Sequence, residues 1–539
     1  MERRNFLKAA ALGGVAAAAS VSMKTRRASA VPLFGDVPAD HASIMLPKQN
    51  QVTSILECFM YGGVTPWEGF YCVPSYGSDG KSWHKAYPVD FLNAAKACSY
   101  SDPGLFTYFG QDSGSTVTGA LADPKDIFLS PFLTPLIARN DITDRMRVVV
   151  NRHALEPHEA AIPLTMSGKT LGSPSLASLG SHVARYFVDH DLEGKHPAPF
   201  SYGFSISNSF VPSDNILTML ATGLHPGSAR PLHIKINDAT RLSALLNRAP
   251  IGSLDDRQRY DLLLGTYFNQ YQDRLKFAST SEILRAPRFN ELTSAASALS
   301  HASDIQSLLA SEYLTKVGGT ACFARSGAQT VGSSSFDPNT PFTNANGAGN
   351  YPQMSLKMAA HLLTHPTYPA AHCMVIDTGL READGGGGYD THNETPFTQA
   401  HNLNNFFNSL LPLVNKPGES DPNKIDLNKT MIILNMEFGR TPGLQKTTNT
   451  GRNHWPYGYT QVYIGGPITS AQRGIYGTIP ENGTATVYTT PTENRIAALL
   501  AMGIWPFEQA SFSSVNVQDS SSESNAVKSV LSRVLGYTV

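Results

Sequence analysis

From residue 370 to its end the chain alternates short apolar runs with amphipathic ones, and that order leaves few architectures open. AAHCMVID (370–377), KTMIILNMEFGR (429–440) and TQVYIGG (460–466) have the length and composition of strands. FTQAHNLNNFFNSLLPLV (397–414) and PTENRIAALLAMGI (491–504) space their apolar residues as helices do, the second with Thr492 as its expected N-cap. SILECFMYGG (54–63) reads as a strand ending in a Gly-Gly turn, and MRVVVN (146–151) as another. Strands that alternate with helices bury both faces of a sheet under helical layers. The expected fold is therefore α/β, with a mainly parallel central sheet flanked by helices. Between 254 and 309 the pattern changes: Tyr260, Leu263, Tyr267, Tyr271 and Leu275 mark one face of an amphipathic helix.

At 539 residues and 41% hydrophobic the chain can bury a large core. Forty-two basic residues against 43 acidic ones remove the charge excess that a nucleic-acid or anionic-membrane partner selects for. ERRNFLKAAALGGVAAAASVSMKTRRASA opens on Arg3 and Arg4, continues through Phe6, Leu7 and Lys8 into a small-residue apolar stretch, and ends A-x-A-like at Ala28–Ala30. Residues 1–30 are thus expected to be a twin-arginine export signal, with the twin-arginine machinery as a partner and the periplasm or the exterior as destination. Residues 31–539 are expected to form a single large domain, in which no second apolar run reaches membrane-spanning length. Five cysteines allow at most two bridges, Cys72–Cys98 being the plausible local pair, and there is no C-x-x-C signature of zinc or haem.

GGGGYDTHNE (385–394) sets four glycines before Asp390 and His392. Four successive glycines are either linker or a backbone that must turn sharply. In open α/β sheets ligands bind beyond the carboxyl ends of the strands, and the polar residues follow that rule. Asp390 and His392 come after the 370–377 strand, Glu437 where MIILNM ends, and His454 in TGRNHWPYG. Two carboxylates and two imidazoles suit a divalent metal such as Zn, Mn, Mg or Ca. The plainer reading of Glu437 is a salt bridge with Arg440. Arg440 and Arg452 suit an anionic group, or are themselves structural ion pairs.

Together the twin arginine, Tyr61-Gly62-Gly63, GGYDTH, EFGRTP, the following His and TENRIAALLAMGI resemble the DUF1501 family of exported proteins, which is similar to a distant branch of the alkaline phosphatase and sulfatase superfamily. The resemblance implies an alkaline-phosphatase-like domain with 254–309 as a helical insertion or cap. It implies metal binding by Asp390, His392, Glu437 and His454, and an exported metal-dependent hydrolase of phosphate or sulfate esters whose substrate is an anionic small molecule or polymer. The chain departs from the family pattern at Thr65, where Asp is usual, and at Asn453, before the late His. Thr65 is then a weak ligand or a nucleophile, and Glu57 or Glu68 a substitute carboxylate. His158 falls where the family has a Ser-His near the pocket, so Thr65, His158 and Arg440 are the catalytic candidates, with Thr165 and Ser167 as further hydroxyls. Fewer carboxylates lead us to expect one ion only, or none. The alternative is a non-catalytic binding or assembly protein on the same fold with an eroded site; no haem, iron–sulfur, flavin or phosphate-loop signature supports a redox role.

Overall fold

The computed structural model describes residues 33–76, 106–117, 120–122, 124–173, 176–191, 196, 198–205, 231–235, 329–331, 334–336, 351–379, 388–393, 395–446, 451–508 and 511–538, with isolated residues between 259 and 270. The expected export segment 1–30, nearly all of the expected 254–309 insertion, Gly385–Gly387, Cys98 and Cys322 lie outside the described residues. With Cys98 goes the pairing expected for Cys72. Cys58 and Cys373 are buried free thiols.

Eight strands build the central sheet: β1 (Ser54–Met60), β2 (Met146–Asn151), β3 (Ser201–Ser205), β4 (Leu232–Lys235), β5 (His372–Asp377), β6 (Thr430–Asn435), β7 (Tyr459–Gly465) and β8 (Gly474–Tyr476). Their order across the sheet is β8-β2-β7-β6-β1-β5-β3-β4. Pairings β6–β1, β1–β5, β5–β3, β3–β4 and β8–β2 are parallel. Strand β7 runs antiparallel to both of its neighbours, β6 and β2. The sheet is mixed and mostly parallel, as the alternating pattern leads one to expect, with one reversed strand that the pattern does not disclose.

Strand β1 is the centre of the sheet and every one of its residues is buried. Because successive side chains point to opposite faces, its single apolar run feeds two layers. Leu56, Cys58 and Met60 pack with α3 (Tyr351–Leu363) and α4 (Pro396–Leu410), through Leu356, Met358, Phe406 and Phe407. On the other face Ile55 joins α2 (Leu179–His190), α5 (Pro491–Ala501) and α6 (Glu523–Val530), through Val183, Ile496, Leu500 and Val527. Phe59 and Tyr61 meet Ile162 and Met166 of α1 (His158–Ser167). Each aliphatic side chain withdrawn from water in this way stabilises the fold by roughly 1.5–3 kcal/mol. Among the described residues no helix is long and apolar enough to cross a membrane.

Helix α5 corrects one expectation. Its N-cap is Thr490, whose hydroxyl accepts from Glu493 N at 3.3 Å while Glu493 Oε2 accepts from Thr490 N at 2.8 Å. Pro491 explains the placement, since its missing N–H and fixed φ suit the first helical position and leave the cap to the residue before it. Thr492 instead donates its hydroxyl to Gly168 O.

Glu57 also faces α5, and a carboxylate inside a core must be paired. Arg495 Nη1 lies 2.6 Å from Glu57 Oε1, Asn435 Nδ2 donates to the same oxygen at 2.9 Å, and His372 Nε2 is 3.4 Å from Oε2. Burial pushes the carboxyl up, but the charges and hydrogen bonds of Arg495 and His372 outweigh it and hold Glu57 at about 2, below the ordinary 4.5. Folding therefore favours the ionised form: the stability this group contributes is complete above pH 4.5 and is lost as the pH falls towards 2. Glu57→Gln leaves Arg495 uncompensated and should cost about 3–5 kcal/mol at neutral pH. Denaturant unfolding of both proteins across this range checks it: the gap should narrow in acid, and equal stabilities at pH 7 would show that the pair contributes nothing.

Candidate functional site

Strands β1, β2, β5 and β6 point the same way, so the segments that follow them emerge at one edge of the sheet. Reversed β7 begins at that edge, and the loop before it delivers His454 to the others. Two turns interlock there. Gly62 adopts φ +98°, and a Cβ on it would sit 2.1 Å from Asp390 N; Gly388 adopts φ +62°, and its Cβ would sit 2.4 Å from Tyr61 O. Tyr389 N donates to Tyr61 O at 2.7 Å across this contact. Both positions need a residue without a side chain, for reach and for left-handed backbone. Gln399 of α4 bonds the same region from below: its Nε2 donates to Gly63 O at 3.1 Å and Tyr389 O at 3.0 Å.

Asp390 Oδ1 is where the side chains meet. His392 Nε2 lies 3.0 Å from it, His454 Nε2 3.3 Å and His158 Nε2 3.5 Å. The nitrogens of His392 and His454 are 3.1 Å apart. Arg440 Nη2 donates to the same oxygen and to Gly62 O. The donor atoms of His158, Asp390 and His454 all lie within 4.8 Å of one another, and His392 adds a third imidazole on the open side. Phe438 stacks on His454 with ring centres 4.4 Å apart, and Tyr61 stacks on His158 at 5.2 Å.

The donor atoms of His158, Asp390 and His454 are close enough together to hold a metal ion, and His392 approaches two of them. Zinc–nitrogen bonds of about 2.0–2.1 Å place neighbouring tetrahedral donors roughly 3.3–3.4 Å apart. The separations of 3.0, 3.1, 3.3 and 3.5 Å around Asp390 are close to that spacing.

Glu437, expected as a ligand, stands one layer back. Its Oε1 accepts from Gly62 N at 2.7 Å and bonds His158 Nδ1 at 2.9 Å. Among the described residues its buried Oε2 has no hydrogen-bond partner. A carboxylate holding Nδ1 of an imidazole aims the Nε2 lone pair away from itself, here towards Asp390. His158, expected in a catalytic role, thus joins Asp390 and His454 in a cluster that could hold a metal ion, and Glu437 orients it. His153 bonds Glu437 O through Nε2 at 2.7 Å, and burial pushes its imidazole down to about 4, so it is neutral and donates.

The remaining candidates divide. Arg440 is fully buried and its guanidinium is taken up by Asp390, Gly62 O and Arg452 O, so it holds the loop rather than facing solvent. Arg452 is equally buried against Glu68, with Nη2 at 2.6 Å, and Glu57 is committed to Arg495, so neither substitute carboxylate reaches Asp390. Thr65 is buried; its N–H donates to Gln399 Oε1 at 2.9 Å, and among the described residues its hydroxyl bonds nothing. Ser167 spends its hydroxyl on Pro163 O at 2.6 Å, and Thr165 is buried in the same helix. Asn453 accepts from His454 N at 2.9 Å and is turned to solvent.

The electrostatics follow from the contacts. Burial pushes the Asp390 carboxyl up, but Arg440 and the hydrogen bonds of His158, His392 and His454 hold it far below the usual carboxylate range. Burial also pushes His158 down, yet Asp390 and Glu437 on either side outweigh it and raise the imidazole to about 9. His454 is lowered, by burial first and then by the charges of Arg440 and His158. Burial and the nearby carboxylates raise the Tyr61 phenol, which stays protonated.

The family described as "Protein of unknown function (DUF1501)" matches residues 374–503, the segment that runs from β5 into the turn after α5 and carries Asp390, His392, Glu437, Arg440 and His454. The match supports the family resemblance there. No curated protein and no solved structure matches the chain.

In the metal-free protein His158 should titrate near pH 9, and Glu437→Gln should bring it down. Because the folded value is raised, the stability His158 contributes is complete below pH 6.5 and is lost as the pH rises through about 9. Imidazole NMR shifts measured against pH decide the point: an ordinary midpoint near 6.5 with Glu437 intact would refute the pairing.

Proposed function

We propose that this chain is an exported metal-dependent hydrolase of phosphate or sulfate esters, working with one divalent ion held by Asp390, His392, His454 and His158 on an alkaline-phosphatase-like fold. The observation that carries the reading is the convergence of three imidazole nitrogens on Asp390 Oδ1, at a sheet edge where the His392 and His454 side chains keep 22% and 14% of their surface open. Side chains that only brace a loop have no need to gather their lone pairs at one point with an outlet to solvent.

When bound, a divalent ion supplies Lewis acidity and lowers the pKa of a water or hydroxyl beside it. The protein's part is positional. Glu437 fixes His158 in the tautomer whose Nε2 faces Asp390, and Gln445 Oε1, 2.9 Å from His392 Nδ1, fixes His392 in the same way. Arg440 keeps Asp390 ionised at any working pH. Phe438 and Tyr61 exclude water from the buried side of the imidazoles, so that ester and water meet the cluster only from the open side.

A second reading, a binding or assembly protein whose site no longer turns over, is favoured by the buried Thr65 and by arginines that leave no free guanidinium at the cluster. Only the hydrolase reading requires metal, because the binding reading takes the metal site as eroded, so metal content and turnover together separate them. Purified mature protein should hold a divalent ion by elemental analysis, and His392→Ala and His454→Ala should lose it. Glu437→Ala should weaken binding by roughly 10–100-fold, as loss of an orienting partner does. Wild type loaded with zinc, manganese, magnesium or calcium is then screened on aryl phosphates and sulfates. Absence of metal after loading rejects the hydrolase reading and leaves the binding one; metal without turnover likewise leaves a protein that binds and does not hydrolyse these esters.

A further inference from the structure

The guanidinium of Arg440 is built into the ligand cluster in a way that bears on how many ions it can hold. It donates to Asp390 Oδ1 and Gly62 O through Nη2 and to Arg452 O through Nη1 at 3.2 Å. Phe438 lies against it with the ring centre 5.8 Å away. These acceptors belong to three separate segments, and Arg440 has no solvent exposure, so the guanidinium cannot withdraw without dismantling the loops after β1, β5 and β6. Its charge is permanent in a way that a histidine's is not.

From these contacts we infer that Arg440 serves as a built-in cation in place of a second metal, so that the cluster takes one divalent ion per chain and selects an anionic oxygen ligand to balance it. The inference rests on the metal-binding reading above. Asp390 and Glu437 are the carboxylates bonded into the cluster among the described residues, and Arg440 offsets one of them. With neutral imidazoles the protein groups sum to −1, one divalent ion brings the centre to +1, and two would bring it to +3 in a largely buried site. Glu57 and Glu68 cannot absorb that excess, because Glu57 is neutralised by Arg495 and Glu68 by Arg452. A centre at +1 is balanced by the oxygen of a phosphate or sulfate ester, whereas a neutral ester leaves it uncompensated.

The test is ion stoichiometry of the full chain, measured by native and elemental mass spectrometry after equilibration with excess zinc or manganese chloride. Wild type and Arg440→Lys should each retain one ion per chain. Arg440→Gln, where circular dichroism shows it folded, should accept a second ion or bind the first about tenfold more tightly, because a like charge has been removed at contact distance. Two ions in the wild type overturn the inference and leave the metal reading intact. An unchanged or weaker affinity with an unchanged count in a folded Gln variant also overturns it, and no ion in any protein removes the metal reading itself. If the Gln variant does not fold, the wild-type and Lys counts still decide.

Discussion

One residue, Gly62, holds the site together. The N–H of Gly62 is bound by Glu437, its C=O by Arg440, and its α-carbon is so close to Asp390 that a methyl group would overlap the backbone. Three loops, from β1, β5 and β6, are therefore registered on a single residue in left-handed conformation. Glu437 carries the registration to His158, and Arg440 carries it to Asp390. Carboxylate and imidazole come into range because both are measured from the same turn.

The reversed strand completes the arrangement. Had β7 run parallel to β6, its leading loop would lie at the opposite end of the sheet, some 20 Å away for a strand of its length. Running antiparallel, it starts where its neighbours finish. The two-residue ladder between Gly439–Arg440 and His454–Trp455 then seats His454 beside Arg440. Four elements that are distant in the chain thus contribute to one cluster, and the sheet order, with β1 between β6 and β5, makes the Gly62 turn its natural centre.

What the sequence discloses of this follows a physical rule. Apolar runs of strand length and amphipathic runs of helix length are local properties, so β1, β2, β5, β6, β7, α4 and α5 are legible as elements. Strand direction is not local, and nothing in TQVYIGG says that it is reversed. Asp390, His392 and His454 are legible as site residues because they are polar, flanked by glycine and placed next to strand ends. That His158 joins this cluster with Glu437 behind it is not, because which side of an imidazole a carboxylate occupies is set by the fold alone. Gln399 and Tyr61 hide for the opposite reason: each sits on a buried face where sequence patterning reads core. The fates of Glu57 and Glu68 depend on Arg495 and Arg452, hundreds of residues away, whose approach only the fold creates.

Three buried arginine–carboxylate pairs, Arg495–Glu57, Arg452–Glu68 and Arg440–Asp390, lie at or near this edge of the sheet. Buried ion pairs are poor sources of net stability, since desolvation offsets most of the attraction and apolar replacements of similar volume are often as stable. Their value here is directional. A guanidinium offers several donors in a fixed plane, so Arg452 can bind Glu68 together with the carbonyls of Thr441 and Pro442, pinning a loop that has little apolar surface of its own. Two of the pairs are closed in this sense, each carboxylate meeting its arginine inside the protein. The third is open: Asp390 meets Arg440 on its buried side and the imidazoles of His392 and His454 on the side that reaches solvent. Of the three carboxylates Asp390 is thus the one whose partners lead out to solvent, and the imidazoles gather around it and not around Glu57 or Glu68.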